Sequence, residues 1–281
     1  DTRFPLLNLR NRQLQDYLIG FVDYWSNFGF DGFYVGEPEE IDASFMSRLH
    51  EHVAEKQKGL IVICGGRGTE RGWTCDGCYD REFTKILIDY FVNKRITTAA
   101  FDSVINQTLF FNPPQRNSTN LIGFYDYTKR IGGIVDADAL ELMYAFIFTC
   151  CGSPILLFGD EVRMRECAPL NWGSFPWTTD QQDRAFLARI RALVKLRKNN
   201  RELQSARFYT LYVDDVKRIY AYDRGGLITV LNCDRAPGFV ELPAWDGQYL
   251  DLTTGEWYTA YSQTIKLSIE PMSYRILKRG T

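Results

Sequence analysis

Cysteine and histidine residues that could do chemistry lie at close spacings in the first third of the chain. Cys75 and Cys78 form a CxxC pair, a spacing found in structural zinc sites and in reactive disulfides. A structural zinc ion needs four ligands, and no second CxxC follows at a suitable distance. His50 and His52 are two residues apart, so on a helix they would point to different faces. We therefore expect no metal and no cofactor, and Cys75 with Cys78 is a candidate for a tight disulfide loop.

Two Asn-x-Thr triplets are candidate glycosylation sites, at Asn106 and Asn117. Together with the CxxC pair in a glycine-rich loop, they favour an extracellular, cell-surface or secretory-pathway protein. The alternative is a cytosolic protein with reduced thiols. Cys150 and Cys151 are adjacent in an apolar stretch, where we expect buried free thiols.

Composition excludes several classes of protein. The chain has 281 residues, of which 45% are hydrophobic and 24% charged, so it resembles an ordinary globular protein rather than a disordered one. The net charge of -2 comes without a basic stripe, which argues against nucleic acid as a partner. No apolar run reaches the ~18 residues that a membrane span needs. The chain begins at Asp1 without Met, which we interpret as a fragment or a processed chain.

The first 202 residues alternate amphipathic helices with short apolar strands. Apolar residues recur at helical spacing over residues 13–27, 43–58, 81–93, 136–149 and 183–199. Apolar runs at 32–36, 60–64, 96–104, 121–125 and 154–158 predict five strands. Strands that are apolar throughout and alternate with helices are typical of a parallel sheet buried on both faces, so the predicted class is α/β.

Residues 203–281 have a different pattern and predict a small antiparallel β-sandwich domain. Short alternating segments are separated by turn signals such as Asp246-Gly247 and Thr254-Gly255. The predicted strands are 208–213, 218–222, 227–232, 238–242, 248–251 and 264–269. The sequence thus predicts two domains, 1–202 and 203–281.

Several motifs together resemble the α-amylase-type glycoside hydrolases of the neopullulanase and α-glucosidase kind. Residues 5–8 (PLLN) and 31–33 (DGF) resemble the segment leading through the fourth barrel strand of that family, and residues 152–161 (GSPILLFGDE) resemble the eighth strand and its exit. The resemblance implies strands four to eight of a (β/α)8 barrel followed by the C-terminal β domain. It also implies that strands one to three come from an N-terminal half, on the same precursor or on a separate chain.

The resemblance also locates the family's catalytic positions, and none of them carries the expected carboxylate. The fourth strand places Gly36 at the nucleophile and Tyr34 at an arginine position. The fifth strand places Gly65 or Gly66 at the general acid. The seventh places Tyr127 at the stabilising aspartate and Asp126 at a histidine. Because glycine has no side chain, it can neither form a covalent intermediate nor transfer a proton.

These losses lead us to expect a pseudo-enzyme that serves as a structural or interaction ectodomain. The heavy subunits of heteromeric amino-acid transporters are similar, and there the partner is a membrane protein. One alternative is carbohydrate binding without hydrolysis, with Tyr34, Tyr127 and Arg130 as candidate contacts. Another is a hydrolase that uses displaced carboxylates, for which Glu37 and Asp126 are the candidates. Adjacent strand residues face opposite ways, so this last alternative needs a local bulge.

Overall fold

The computed structural model describes residues 7–35, 41–56, 61–65, 77–79, 81–111, 117–122, 130–165 and 173–280. The backbone alone is described at 56, 61–65, 77–79, 81–82, 110–111 and 117–122. By its contacts the chain divides into two compact units, residues 1–82 with 115–119 and residues 83–114 with 120–281. This division does not follow the predicted boundary at 202/203, which stays a prediction.

The first unit combines two helices with short parallel strands. Helix α1 (Arg12–Asn27) begins where the side chain of Asn11 accepts the backbone N–H of Gln13 at 2.9 Å, as an N-cap residue does. Helix α2 (Ala43–Lys56) follows strand β1 (Gly32–Val35). Apolar side chains of both helices form one core cluster, to which Phe33 and Val35 of β1 add.

Strands of the first unit pair in parallel and in chain order. Strand β1 pairs with β2 (Ile61–Gly65), β2 pairs with β3 (Gly77–Tyr79), and β3 pairs with the first residues of β4 (Asn117–Ile122). The predicted parallel arrangement is confirmed for these strands. The predicted strand at 96–104 is wrong, because this segment lies in a helix of the second unit and β3 is a strand that the sequence did not predict.

The helices of the second unit are α3 (Arg81–Phe91), α4 (Thr98–Phe111), the single turn α5 (Ile131–Ile134), α6 (Ala137–Thr149) and α7 (Arg184–Asn199). Strand β5 (Ser153–Leu156) follows α6. Nearly every side chain of α6 is buried, so this helix is apolar on all sides as a central core helix must be. Asp136 and Asp183 cap the N-termini of α6 and α7 by accepting backbone N–H groups.

The rest of the second unit is an antiparallel sandwich, as the sequence predicts. One sheet has the strand order β11-β10-β13-β8-β7-β6, and the other pairs β12 with β9. The strands are β6 (Tyr209–Asp214), β7 (Ile219–Asp223), β8 (Leu227–Asn232), β9 (Gly238–Pro243), β10 (Gly247–Asp251), β11 (Trp257–Ala260), β12 (Thr264–Ile269) and β13 (Ser273–Arg279). Side chains of α6 and of strands β7, β8 and β13 share one core.

Two arginines, the half-buried Arg197 and the fully buried Arg224, join α6 to the elements that follow it. Arg197 of α7 donates to the backbone carbonyls of Phe148, Cys150 and Gly152, at the C-terminal end of α6 and the start of β5. Arg224, which is fully buried, donates to the carbonyl of Thr149, the last residue of α6. These guanidinium groups satisfy carbonyls that a helix end leaves without intrahelical partners.

Candidate functional site

The carboxyl edge of the parallel strands in the first unit is the place where a barrel of this class carries its chemistry. Val35, the last residue of β1, pairs with Cys64, and Gly65, the last residue of β2, pairs with Tyr79 of β3. The ends of these strands therefore reach the same edge. The register therefore brings the described end of β1, at Val35, beside the end of β2, where the candidate acid position Gly65 lies.

Of the residues predicted at this edge, the structure describes the side chain of Tyr34 and the backbone of Gly65. Gly36, Gly66, Asp126 and Tyr127 lie outside the described residues, so the interpretation of these positions as degenerate catalytic positions stays a prediction. The side chains of Cys64 and Cys78 and the whole of Cys75 also lie outside the described part, as does the predicted disulfide.

Tyr34 occupies the face of β1 that is turned away from the helices. Phe33 and Val35 pack against the core cluster of α1 and α2, and strand alternation puts Tyr34 on the opposite face. Its side chain is 45% exposed. Tyr34 therefore lies near the end of the strand, on the face opposite the helix layer.

A second polar cluster lies in the second unit, where β5 ends. We call it the Arg130 cluster: Arg130, Tyr144, Phe158 and Asp160. The Nη1 atom of Arg130 donates to the carbonyl oxygen of Phe158 at 2.6 Å, and the guanidinium lies 4.4 Å from the centre of the Phe158 ring. The hydroxyl of Tyr144 donates to Asp160 Oδ2 at 3.1 Å. Arg130, Tyr144 and Asp160 form a buried structural network, whereas Phe158 is 43% exposed.

Burial dominates the electrostatics of the Arg130 cluster. Loss of solvent raises the pKa of Asp160 to about 7, although the hydrogen bond from Tyr144 and the charge of Arg130 act in the opposite direction. Burial and the neighbouring carboxylate raise the pKa of Tyr144 well above its usual value. Asp160 can therefore exchange a proton near neutral pH, but it is buried and so is not placed to meet a substrate.

The predicted ligand-binding role of Arg130 does not fit this geometry. Arg130 is 2% exposed, and its donors are directed at Phe158 and Asp160 inside the unit. Arg130 was a candidate contact because it matches the arginine of the family's seventh-strand motif. The structure instead places it at the start of α5, where it holds the exit of β5 in position.

Backbone geometry explains three glycines, one at the exit of β5 and two in α5. Gly159 has a φ of 88°, in the left-handed region that disfavours other residues. A Cβ at Gly132 would lie 2.7 Å from the carbonyl oxygen of Met164, and one at Gly133 would lie 2.6 Å from that of Arg165. The backbone at Met164 and Arg165 therefore passes directly against α5, where only glycine leaves it room.

Several cysteine and histidine residues outside these clusters are buried or pair with a neighbouring helix. Cys150, Cys151 and Cys233 are buried and form no disulfide, which agrees with the prediction for the first two, and the Sγ atom of Cys151 lies 3.7 Å from the carbonyl oxygen of Ala206. The Nε2 atom of His52 lies 2.6 Å from Asp23 Oδ1, and this pair joins α2 to α1. Within the described ranges no three metal-ligating side chains come together, and no helix is both long and apolar enough to cross a membrane.

The candidate glycosylation site at Asn106 lies within helix α4. The Asn106 amide nitrogen donates to Asp102 Oδ1 at 2.9 Å and to the carbonyl oxygen of Asp102 at 3.0 Å. Attachment of a glycan would have to break these bonds. Asn117 is the first residue of β4, and its side chain lies outside the described part.

Comparison with known proteins gives related enzymes but no matching family profile. The chain is 28% identical over 245 residues to a cyclomaltodextrinase of Thermoanaerobacter pseudethanolicus, covering 82% of this chain and 42% of the relative. It is 25% identical over 291 residues to α-amylase 2 of Dictyoglomus thermophilum, covering 98% of this chain and 50% of the relative. The chain spans about half the length of these curated relatives.

The fold is shared with solved structures. Ttha1563 of Thermus thermophilus superposes with a TM-score of 0.87 at 20% identity, over 98% of this chain and 64% of that chain. This chain therefore matches part of a structure with a barrel and a β domain.

These relatives contradict the expectation that the protein is not an enzyme. They are active glycoside hydrolases, and the similarity covers most of this chain. The inference of a pseudo-enzyme relied on three sequence positions alone. The expected similarity to transporter heavy subunits has no support among the relatives described above. Sequence and fold together support the relationship of this chain to the α-amylase family of glycoside hydrolases.

Proposed function

We propose that this chain is the C-terminal part of an α-amylase-type glycoside hydrolase that cleaves α-linked glucans. The observation that carries the proposal is its similarity to a cyclomaltodextrinase and an α-amylase, which extends over 82% and 98% of the chain. In this assignment β1 to β5 are barrel strands four to eight. The strand ends at Val35 and Gly65 then form part of the mouth of the barrel.

Hydrolysis of a glycosidic bond needs two carboxyl groups, and we propose Glu37 and Asp126 for these roles, which requires a local bulge at each strand end to turn the carboxylate toward the substrate. Each is adjacent to a position at which the family carries a carboxylate. In a retaining mechanism Glu37 attacks the anomeric carbon, while Asp126 protonates the departing glycosidic oxygen. Asp126 then takes a proton from water, which hydrolyses the glycosyl–enzyme ester. Exposed Tyr34 contributes a ring against which a sugar face can stack.

Activity measurements on the full-length protein test this proposal. The substrates are a cyclomaltodextrin and soluble starch, and the readout is the release of reducing ends. Substitution Glu37→Gln or Asp126→Asn should lower kcat by about 100-fold or more, because each removes a reacting carboxyl group. Glu39→Gln is the matched control and should retain activity, because none of the family's catalytic positions matched above falls on Glu39. Wild-type protein that releases no reducing ends, or variants that remain fully active, would overturn the proposal.

We further propose that an N-terminal half supplies barrel strands one to three. Helix α1 presents an exposed aromatic face at helical spacing, formed by Tyr17, Phe21, Tyr24 and Phe28. The ring centres of Tyr24 and Phe28 lie 5.0 Å apart, so these two rings are in contact. Exposed apolar patches of this kind mark surfaces that another polypeptide covers.

Intact-mass analysis and cross-linking of the native material test for this N-terminal half. Cross-links from α1 to a segment resembling amylase strands one to three are expected, whether that segment is covalently continuous or separate. A native protein that contains only these 281 residues and is monomeric would overturn the proposal.

An extracellular location is kept as a proposal that rests on the sequons. Treatment of native protein with an N-glycosidase should lower its mass if Asn117 carries a glycan. Because the Asn106 amide is hydrogen-bonded within α4, the mass change should correspond to one site. An unchanged mass would remove this argument for the secretory pathway.

A further inference from the structure

The antiparallel sandwich contains an open cavity of about 580 Å³ that the hydrolytic proposal does not use. We call it the Trp245 cavity. Its volume lies within the range of small-molecule sites in proteins. The side chains that matter for recognition are those of Arg207, Tyr209, Asp223, Trp245, Gln263 and Arg279.

Large aromatic side chains line this cavity without being buried. The side chain of Trp245 is 72% exposed and that of Tyr209 is 58% exposed. An indole or phenol ring that remains in water has not gained the burial that usually stabilises such residues. Two of them in one concave surface indicate a ligand with an apolar face.

The segment that carries Trp245 is held at several points. The buried Tyr249 donates its hydroxyl to the carbonyl oxygen of Trp245 at 3.1 Å. Arg279 donates to the carbonyl oxygen of Asp246 at 2.9 Å, and the Oδ1 atom of Asp246 accepts the backbone N–H of Gln263 at 2.6 Å. The N–H of Ala244 donates to the carbonyl oxygen of Gln263 at 3.0 Å. An exposed ring on a backbone fixed in this way is preorganised for binding.

Planar polar groups surround the aromatic rings. Asp223 uses Oδ1 to accept the backbone N–H of Gly226 at 2.8 Å, and an ionised carboxylate has capacity for several further donors. Gln263 offers an amide donor and acceptor, and the guanidinium of Arg207 offers up to five N–H groups. Such groups suit a ligand that carries many hydroxyls, each of which both donates and accepts.

A glucan meets these requirements better than an anion does. A glucosyl ring has an apolar face of C–H groups and an edge of hydroxyls, which matches rings flanked by carboxylate, amide and guanidinium groups. A phosphate or carboxylate ligand would pair with Arg207 and Arg279 but would leave the exposed rings of Trp245 and Tyr209 without an apolar partner, so the rings favour the glucan. The choice of glucan rests on the proposed function, which makes α-glucans the substrates of this protein.

We propose that the Trp245 cavity binds a short segment of an α-glucan chain without cleaving it. Trp245 and Tyr209 stack against sugar faces, while Asp223 and Gln263 hydrogen-bond to the hydroxyls. The cavity holds a polymeric substrate on the protein. Its loss should affect starch and leave short substrates unaffected.

Binding and activity of the full-length protein test this site. The probes are maltoheptaose in calorimetry and soluble starch in affinity electrophoresis, with Glu37→Gln as the background so that the ligand is not consumed. Trp245→Ala should weaken binding at this site by about tenfold, and Trp245→Phe should restore most of it. Trp257→Ala is the matched control, because Trp257 is 59% exposed and lies outside the cavity lining.

The outcomes separate this site from the hydrolytic site. In the active background, Trp245→Ala should raise KM for starch and leave the hydrolysis of a nitrophenyl maltoside unchanged. Binding that is unaffected by Trp245→Ala, or that is lost equally in Trp257→Ala, would overturn the site while leaving the proposed hydrolysis intact. Preferential binding of inorganic phosphate would also overturn it. Glucan binding lost in Trp245→Ala, in a protein without hydrolytic activity, would support the site and refute the hydrolase.

Discussion

The Nη1 atom of Arg130 lies 3.6 Å from Oδ1 of Asp160, and both side chains are almost completely buried. Replacing Arg130 by Met should lower the free energy of unfolding by about 3 kcal/mol, because it leaves a buried carboxylate without its cation. Urea denaturation measures this. Lys266→Met is the control, because Lys266 forms an exposed pair with Glu241 at 2.9 Å and should cost less than about 1 kcal/mol. Equal losses in the two variants would contradict the structural role of Arg130.

Asp160 should make stability fall as pH rises toward neutrality. Its pKa is about 7 in the folded protein and near 3.8 without burial, so the folded state binds more protons than the unfolded state between these values. The free energy of unfolding contributed by Asp160 is therefore present at about pH 4 and is lost by about pH 7. Asp160→Asn should remove this slope, and Glu161→Gln should keep it. The measurement is the melting temperature of each variant across this pH range. If wild type and Asp160→Asn gave parallel curves, Asp160 would not be the cause of the pH dependence.

Arg224→Lys should be strongly destabilising although it conserves charge. The guanidinium of Arg224 is fully buried and donates to the backbone carbonyls of Thr149, Leu203, Ser205 and Arg207. An ammonium group cannot reproduce the planar set of N–H donors of a guanidinium. Each carbonyl left without a partner costs about 1–3 kcal/mol. We expect a loss of about 3 kcal/mol in chemical denaturation.

The control for this change is Arg201→Lys, which substitutes an exposed arginine and should alter stability by less than about 0.5 kcal/mol. If Arg224→Lys were as stable as this control, the hydrogen bonds of the Arg224 guanidinium would not be needed for stability and the prediction would be wrong.

Cys150 and Cys233 should resist alkylation in the folded protein. Burial raises the pKa of each thiol to about 12, so the reactive thiolate is scarce at pH 8 and the sulfur atoms are inaccessible. Peptide mapping after iodoacetamide treatment should find both unmodified in native protein and fully modified in guanidinium chloride. Rapid native labelling at either site would show that the second unit opens locally.

The sequence predicted most helices and most sandwich strands because their burial patterns are local. In β9 and β12 apolar and polar residues alternate, and the structure buries Val240, Leu242, Ile265 and Leu267 accordingly. The strands β11 and β13 were missed, because Trp257 and Tyr274 are followed by residues whose alternation is irregular. Their positions depend on pairing with distant strands.

The segment 96–104 was predicted as a strand, but in the structure most of it belongs to helix α4. Ile96, Thr97 and Thr98 are β-branched and favour strands. Thr97 instead accepts the N–H of Ala100 at 3.1 Å, as a residue before a helix does, and Phe101 and Ile105 are buried one turn apart. Threonine is a favoured residue before a helix, so Thr97 was the sequence signal that could have predicted helix α4.

The candidate sites were less predictable than the fold. The Arg130 cluster draws its members from α5, α6 and the exit of β5, and sequence spacing does not show that Tyr144 meets Asp160. The Trp245 cavity depends on residues more than 70 positions apart, such as Arg207 and Arg279. Motif similarity identified the strand ends from the sequence. The burial of Arg130 could be seen only in the structure, because it depends on contacts with residues far along the chain.

The carbonyls at the C-terminal end of α6 have consequences for the order of folding. Their partners arrive with Arg197 and Arg224, 45 to 75 residues later in the chain. During synthesis α6 can form its internal turns, but its apolar surface and terminal carbonyls lack partners until strand β7 has been made. The second unit should therefore gain stability late and in one cooperative step, and a chain interrupted before Arg224 should require a chaperone to remain in solution.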